Sequence, residues 1–68
     1  MTSEAIKTAV QRRPFRPFSV RLTNGSQIQV PSEDNVAIYP DDKTFVILEP
    51  AGGYRILDIP LVTELSEN

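Results

Sequence analysis

The 68-residue sequence contains no cysteine, no histidine and no tryptophan, and only three glycines. Without cysteine there is no disulfide, no thiolate nucleophile and no zinc–thiolate cage. Without histidine, the side chain suited to proton transfer near neutral pH is missing, as is the commonest transition-metal ligand. Ser-His-Asp and Cys-His catalytic arrangements are therefore excluded. Gly25, Gly52 and Gly53 are too scattered for a phosphate-cradling loop. No catalytic set, cofactor or metal site is expected. No apolar run is long enough to span a bilayer, and the first ten residues, MTSEAIKTAV, lack the apolar stretch of a signal peptide. A cytoplasmic chain with no membrane partner is the expectation. Asn24-Gly25-Ser26 matches a glycosylation sequon and is read as a turn.

What is present is ordinary globular material, 40% hydrophobic and 24% charged. The length is about half that of a usual domain, too short for a two-domain enzyme or a doubly wound nucleotide fold. A single small domain over residues 1–68 is expected. Thr2 or Ser3 can cap a helix with Glu4 in its first turn. Ala5, Ile6, Ala9 and Val10 share one helical face. The spacing predicts a helix over 3–13, with Arg12 and Arg13 in its last turn and Pro14 ending it.

Two prolines keep Pro14–Phe18 extended. Phe18, Val20 and Leu22 then alternate with polar residues, as do Ile28 and Val30. A two-residue Asn-Gly loop would set apolar against polar residues. A three-residue loop with Gly25 in a left-handed position pairs Phe18 with Val30, Val20 with Ile28 and Leu22 with Ser26. Across Pro40–Lys43, Ile38 falls beside Phe45 and Val36 beside Ile47. Across Pro50–Gly53, Ile56 is paired with Ile47. Leu61, Thr63 and Leu65 alternate as a short closing strand. The predicted fold is mainly β (α+β by count): an N-terminal helix, then a five- or six-stranded antiparallel meander over 18–65 closing into a small barrel.

In this register Phe18, Val20, Val30, Val36, Ile38, Phe45, Ile47 and Ile56 form the core. Ala37, Val46, Leu48, Leu57 and Ile59 make a second apolar stripe on the opposite face. The helix, through Ile6 and Val10, is the plainer cover for that stripe. A protein partner or second copy is the sharper one, because apolar patches of this kind mark interfaces. Asp58 is expected to project toward the core near Phe45 and to pair with Arg55 or another arginine.

The string Arg13-Pro14-Phe15-Arg16-Pro17-Phe18 followed by Val20-Arg21-Leu22-Thr23-Asn24-Gly25 resembles a group of short, uncharacterised bacterial proteins. They share a helix, a P-F-x-P-F segment and a strand ending in L-x-(D/N)-G. The resemblance implies the fold order but no activity. A fainter, fold-level likeness links the chain to two kinds of small barrel. Sm-like RNA-binding barrels also have an N-terminal helix and an L-x-N-G hairpin. Src-homology-type barrels end in a segment similar to Ile59-Pro60-Leu61-Val62. Neither likeness carries a functional residue across.

Charge is segregated. Residues 1–30 carry a net +4 and residues 31–68 a net −6. The basic half could meet nucleic acid through Arg12, Arg13, Arg16 and Arg21, with Phe15 nearby to stack. The competing reading is that these arginines neutralise the acidic strands within the fold. The overall charge of −2 favours that reading. The turn acids, such as neighbouring Asp41 and Asp42, fit no calcium loop and read as solvated. The functional expectation is a non-enzymatic module that binds a protein partner or forms a homo-oligomer. Its interface would be Val46, Leu48, Leu57 and Ile59, with Arg21 and Arg55 as a polar rim. RNA binding through the four arginines is the alternative.

Overall fold

The computed structural model describes residues 1–67. One helix, α1 (Ser3–Gln11), precedes six strands: β1 (Phe18–Leu22), β2 (Gln27–Val30), β3 (Val36–Ile38), β4 (Thr44–Leu48), β5 (Tyr54–Asp58) and β6 (Val62–Glu67). Short 3-10 turns at Glu33–Asn35 and Ile59–Leu61 lead into β3 and β6. Hydrogen bonding among the described residues makes two antiparallel three-stranded sheets, ordered β2-β1-β6 and β3-β4-β5, and no closed barrel is found among them. The mainly β architecture with one helix is as expected.

Thr2 caps α1, its hydroxyl oxygen accepting the Ala5 N–H at 3.3 Å. The helix stops at Gln11, two residues short of the predicted end, and Arg12 is already extended at φ −58°, ψ 137°. Arg13 precedes a proline, which disfavours helical backbone there. Arg12 and Arg13 thus lie beyond the helix and not in its last turn. The apolar face of α1 drives Ile6 fully into the core, with Ala9 and Val10 packed beside it. Full burial of such a side chain stabilises by about 1.5–3 kcal/mol.

The first hairpin has the expected register, with Phe18 opposite Val30 and Val20 opposite Ile28. Its loop is closed by the Leu22 N–H on the Ser26 carbonyl and the Gly25 N–H on the Leu22 carbonyl, both 2.9 Å. Gly25 sits at φ +88°, open only to residues that tolerate left-handed backbone. Val36 faces Ile47 and Ile38 faces Phe45, again as expected.

The β4–β5 hairpin differs. It repeats the three-residue loop of the first hairpin. The Glu49 N–H donates to the Gly53 carbonyl at 3.1 Å and the Gly52 N–H to the Glu49 carbonyl at 2.9 Å. Leu48 therefore faces Tyr54, Val46 faces Ile56 and Phe45 faces Leu57. The expected Ile47–Ile56 pairing is off by one residue, and a one-residue slip turns every side chain of the strand over. Ile56 leaves the predicted core and stands 59% exposed, whereas Ile59 is 1% exposed. Asp58, expected to point inward, lies exposed opposite Thr44.

The last strand pairs along β1, with a bulge where Leu22 meets Val62 and Arg21 meets Glu64. Thr63 is the extra residue, and its hydroxyl donates to the Arg21 carbonyl at 3.2 Å. The bulge resets the alternation. Val62 and Leu65 turn toward the core, and Leu61, expected as part of the strand, is exposed in the 3-10 turn. The core lies between the two sheets and α1, built of Ile6, Phe18, Val20, Ile28, Val30, Phe45, Ile47, Ile59 and Val62.

Candidate interaction surfaces

The outer face of β3-β4-β5 is set by register. Directly opposed residues of antiparallel strands point to the same side. Ala37, Val46 and Ile56 form one row across the sheet, and Leu48 and Tyr54 form the next. Tyr39 follows Ala37 in the alternation, and its N–H donates to the Thr44 carbonyl at 2.9 Å. Asp58 is the charged residue at the corner of this face. Tyr54 is 66% exposed, Ile56 59%, Leu48 48% and Tyr39 47%. Four large hydrophobic groups on one sheet face make a contiguous patch, unlike scattered single exposures. The helix does not cover it, because Ile6 and Val10 pack into the core between the sheets.

Of the four predicted interface residues, Val46 and Leu48 lie on this face. Leu57 and Ile59 do not. Leu57 is half-buried against the core and Ile59 is part of it. Their places are taken by Ile56 and Tyr54, which the slipped register had turned inward or left out. The expected polar rim is also absent. Arg21 is on the other sheet and pairs with Glu64 at 3.6 Å. Arg55 stands opposite Ile47, on the core side, and pairs with Glu49.

The four arginines of the basic half are each engaged by an acid from the second half of the chain. Arg12 pairs with Glu67. Arg16 lies 3.9 Å from the same carboxylate, Arg13 lies 2.8 Å from Glu33, and Arg21 pairs with Glu64. Lys7 bonds Asp42 at 2.8 Å, tying α1 to the β3–β4 turn. The charge segregation is thus matched inside the molecule. Phe15 is half-buried with its ring 6.1 Å from that of Phe18, in a tilted pair that suits packing.

The turn acids have structural work. Asp41 accepts the Lys43 N–H at 2.9 Å, the Thr44 N–H at 3.1 Å and the Thr44 hydroxyl at 3.0 Å. The Lys43 N–H, above all, holds the Asp41 carboxyl below the usual carboxylate range. Lys7 does the same for Asp42 and is itself pushed up by that partner. A general acid needs the opposite shift. Among the described residues no group of three or more acids could hold a metal ion.

Comparison with family models, curated proteins and solved structures finds no match. Shallow grooves among the described residues include two at strand edges. One of about 250 Å³ lies between α1 and β6, floored by Ala5, Ala9, Phe18 and Leu65. The other, of about 360 Å³, lies between β2 and the β4–β5 turn. The first falls below, and the second near the low end of, the ~300–1,000 Å³ typical of small-molecule sites. No helix among the described residues is long and apolar enough to cross a membrane.

Proposed function

We propose that this chain is a non-enzymatic interaction module. It binds a protein partner, or a second copy of itself, through the outer face of β3-β4-β5. The observation that carries this reading is the uncovered apolar face on which Tyr54, Ile56, Leu48 and Tyr39 are each 47–66% exposed. Exposed apolar area of this kind gains free energy when removed from water, at about 25 cal/mol per Å². A cytoplasmic setting, in which such a module needs no disulfide, fits the absence of cysteine.

The nucleic-acid alternative is less well supported. Phosphate would have to displace a glutamate from each of Arg12, Arg13, Arg16 and Arg21. The acidic excess of the second half would also repel a polyanion.

Light scattering at rising protein concentration tests the reading. A mass above the 7.6 kDa of one chain, restored to that of one chain by Leu48→Glu, supports self-association through this face. A single-chain mass at every concentration removes the self-association arm and leaves only a different protein partner.

A further inference from the structure

The apolar face carries charge of one sign. Its outward rows are Leu48 and Tyr54, then Ala37, Val46 and Ile56, then Tyr39, Thr44 and Asp58. No lysine or arginine stands in these rows, and Asp58 is their one formal charge. Its side chain does not cap the 3-10 turn that follows it. The Asp41 carboxylate reaches the same end of the face, accepting the Thr44 hydroxyl at 3.0 Å. The pairing of charges elsewhere isolates these acids. All five arginines and Lys7 pair with carboxylates, six bases to six acids. Among the described residues this leaves Asp34, Asp41, Asp58 and Lys43 outside any ion pair, and together they carry the formal charge of −2. All four lie on β3-β4-β5 or in the turns that lead into its strands. The sheet with the open apolar face is thus also the sheet that holds the uncompensated acid.

We propose that the outer face of β3-β4-β5 receives a basic amphipathic helix of a different protein, with apolar side chains on the Ile56 and Tyr54 rows and a lysine or arginine at Asp58. The claim rests on the reading above that this face is an interaction surface, and it names the occupant. Charge complementarity selects it. A second copy brings no cation to the face. It would set one apolar, acidic surface against another and leave Asp58 without a partner. A nucleic acid or an acidic lipid surface is repelled by the same carboxylates. Tyr39 stands in the Asp58 row, so a cation seated there meets an aromatic ring as well as a carboxylate. The helical form follows from the backbone. A segment lying on the face of a sheet finds no backbone partners there and must satisfy its own N–H and C=O groups, which a helix does. The dimensions agree. Three strands at about 4.8 Å spacing are about 10 Å across, close to the ~10–12 Å diameter of a helix. Four residue steps from Asp58 to Tyr54 run about 13 Å, the length of roughly nine helical residues.

The probes are two synthetic peptides longer than ~15 residues, so that a helix can form. They share one leucine stripe at helical spacing. One carries lysine at every polar position and the other carries glutamate. Each is titrated into the full-length, nitrogen-15-labelled protein at low ionic strength, and amide shifts locate the contact. The lysine peptide should bind with the Val46, Leu48, Tyr54 and Ile56 amides moving, and at least about fivefold tighter than the glutamate peptide, since an exposed ion pair contributes up to ~1 kcal/mol. Asp58→Lys, at an exposed site, should leave circular dichroism unchanged, weaken the lysine peptide by about fivefold and tighten the glutamate peptide. Glu64→Lys makes the same charge change on the other sheet and should move both affinities by less than about twofold. If Glu64→Lys acts as strongly as Asp58→Lys, overall charge selects the peptide and the proposal is overturned. If both peptides bind this face alike, or if light scattering shows a dimer that Leu48→Glu dissolves, the basic occupant is refuted and the functional reading survives. If neither peptide moves these amides and the chain stays at single-chain mass, both are refuted.

Discussion

Replacing Ile59 by alanine and, separately, Ile56 by alanine sets the two possible registers of β5 against each other. Ile59 is 1% exposed and stands in the core, while Ile56 is 59% exposed. Deleting three carbons from a closed site removes their transfer free energy and leaves a cavity. Together these cost about 2–5 kcal/mol for isoleucine. The same truncation on the surface is expected within about 0.5 kcal/mol. A domain of this length holds only about 3–10 kcal/mol in total, at roughly 0.05–0.15 kcal/mol per residue, so Ile59→Ala removes a large share. Urea unfolding followed by far-ultraviolet circular dichroism reads the difference. With a slope near ~1 kcal/mol per molar urea for so small a protein, the Ile59→Ala midpoint should fall by about 2 M or more. The Ile56→Ala midpoint should move by less than about 0.5 M. The experiment belongs at low protein concentration, where any self-association through the outer face is suppressed. A larger loss at Ile56 than at Ile59 would refute the register and, with it, the composition of the outer face.

Gly52→Ala meets no side chain, since nothing lies within 4 Å of an added Cβ, but it forces alanine to φ +105°. A loss of about 1–2 kcal/mol is expected, read as a fall in melting temperature of at least ~4 °C. The Asp41 carboxyl is held below its ordinary 3.8 in the folded state. Its contribution is therefore present above that value and is lost as pH falls through the folded one, and Asp41→Ala should flatten the acid limb of stability measured by urea titration. Lys7 is raised above 10.5 by Asp42, so Lys7→Met should weaken the alkaline limb, where the wild-type contribution is present below 10.5 and is lost as pH climbs through the folded value. Titration of a fluorescent single-stranded RNA should show no binding tighter than the ~10⁻⁴–10⁻⁶ M of non-specific contact at physiological salt; a tighter, steeply salt-dependent affinity would reopen the nucleic-acid reading.

Local pattern revealed much of this fold. The capped helix, the two-sided alternation of β1 and β2 and the Gly25 loop each follow from neighbouring residues, and the first hairpin register came out as expected. The slip at β5 has a simple cause. Two glycines adjoin in Gly52-Gly53, so apolar matching alone suggested Ile56 against Ile47. The same loop rule that placed Gly25 third in its turn, applied to Gly52, would have paired Leu48 with Tyr54. Half of the outer face, Val46 and Leu48, was therefore legible, while Ile56 and Tyr54 were exchanged for Leu57 and Ile59. The bulge at Thr63 depends on β1 lying alongside β6, a long-range fact that alternation cannot carry. The separation of charge was visible, but its resolution into ion pairs needed the sheet order that brings Glu64 and Glu67 to the arginines.

The pairing of β1 with β6 has a kinetic side. The sheet β3-β4-β5 closes through two hairpins of short sequence separation, whereas Phe18 meets Glu67 only across most of the chain. Joining such distant segments carries a loop-closure entropy that local contacts do not, and folds dominated by distant pairings form slowly. The order of events should be β3-β4-β5 early and β6 last. Until β6 arrives, β1 keeps a bare flank beside Phe18 and Val20, and the half-made molecule is most exposed to sticking to its neighbours through the very strand that is later sealed.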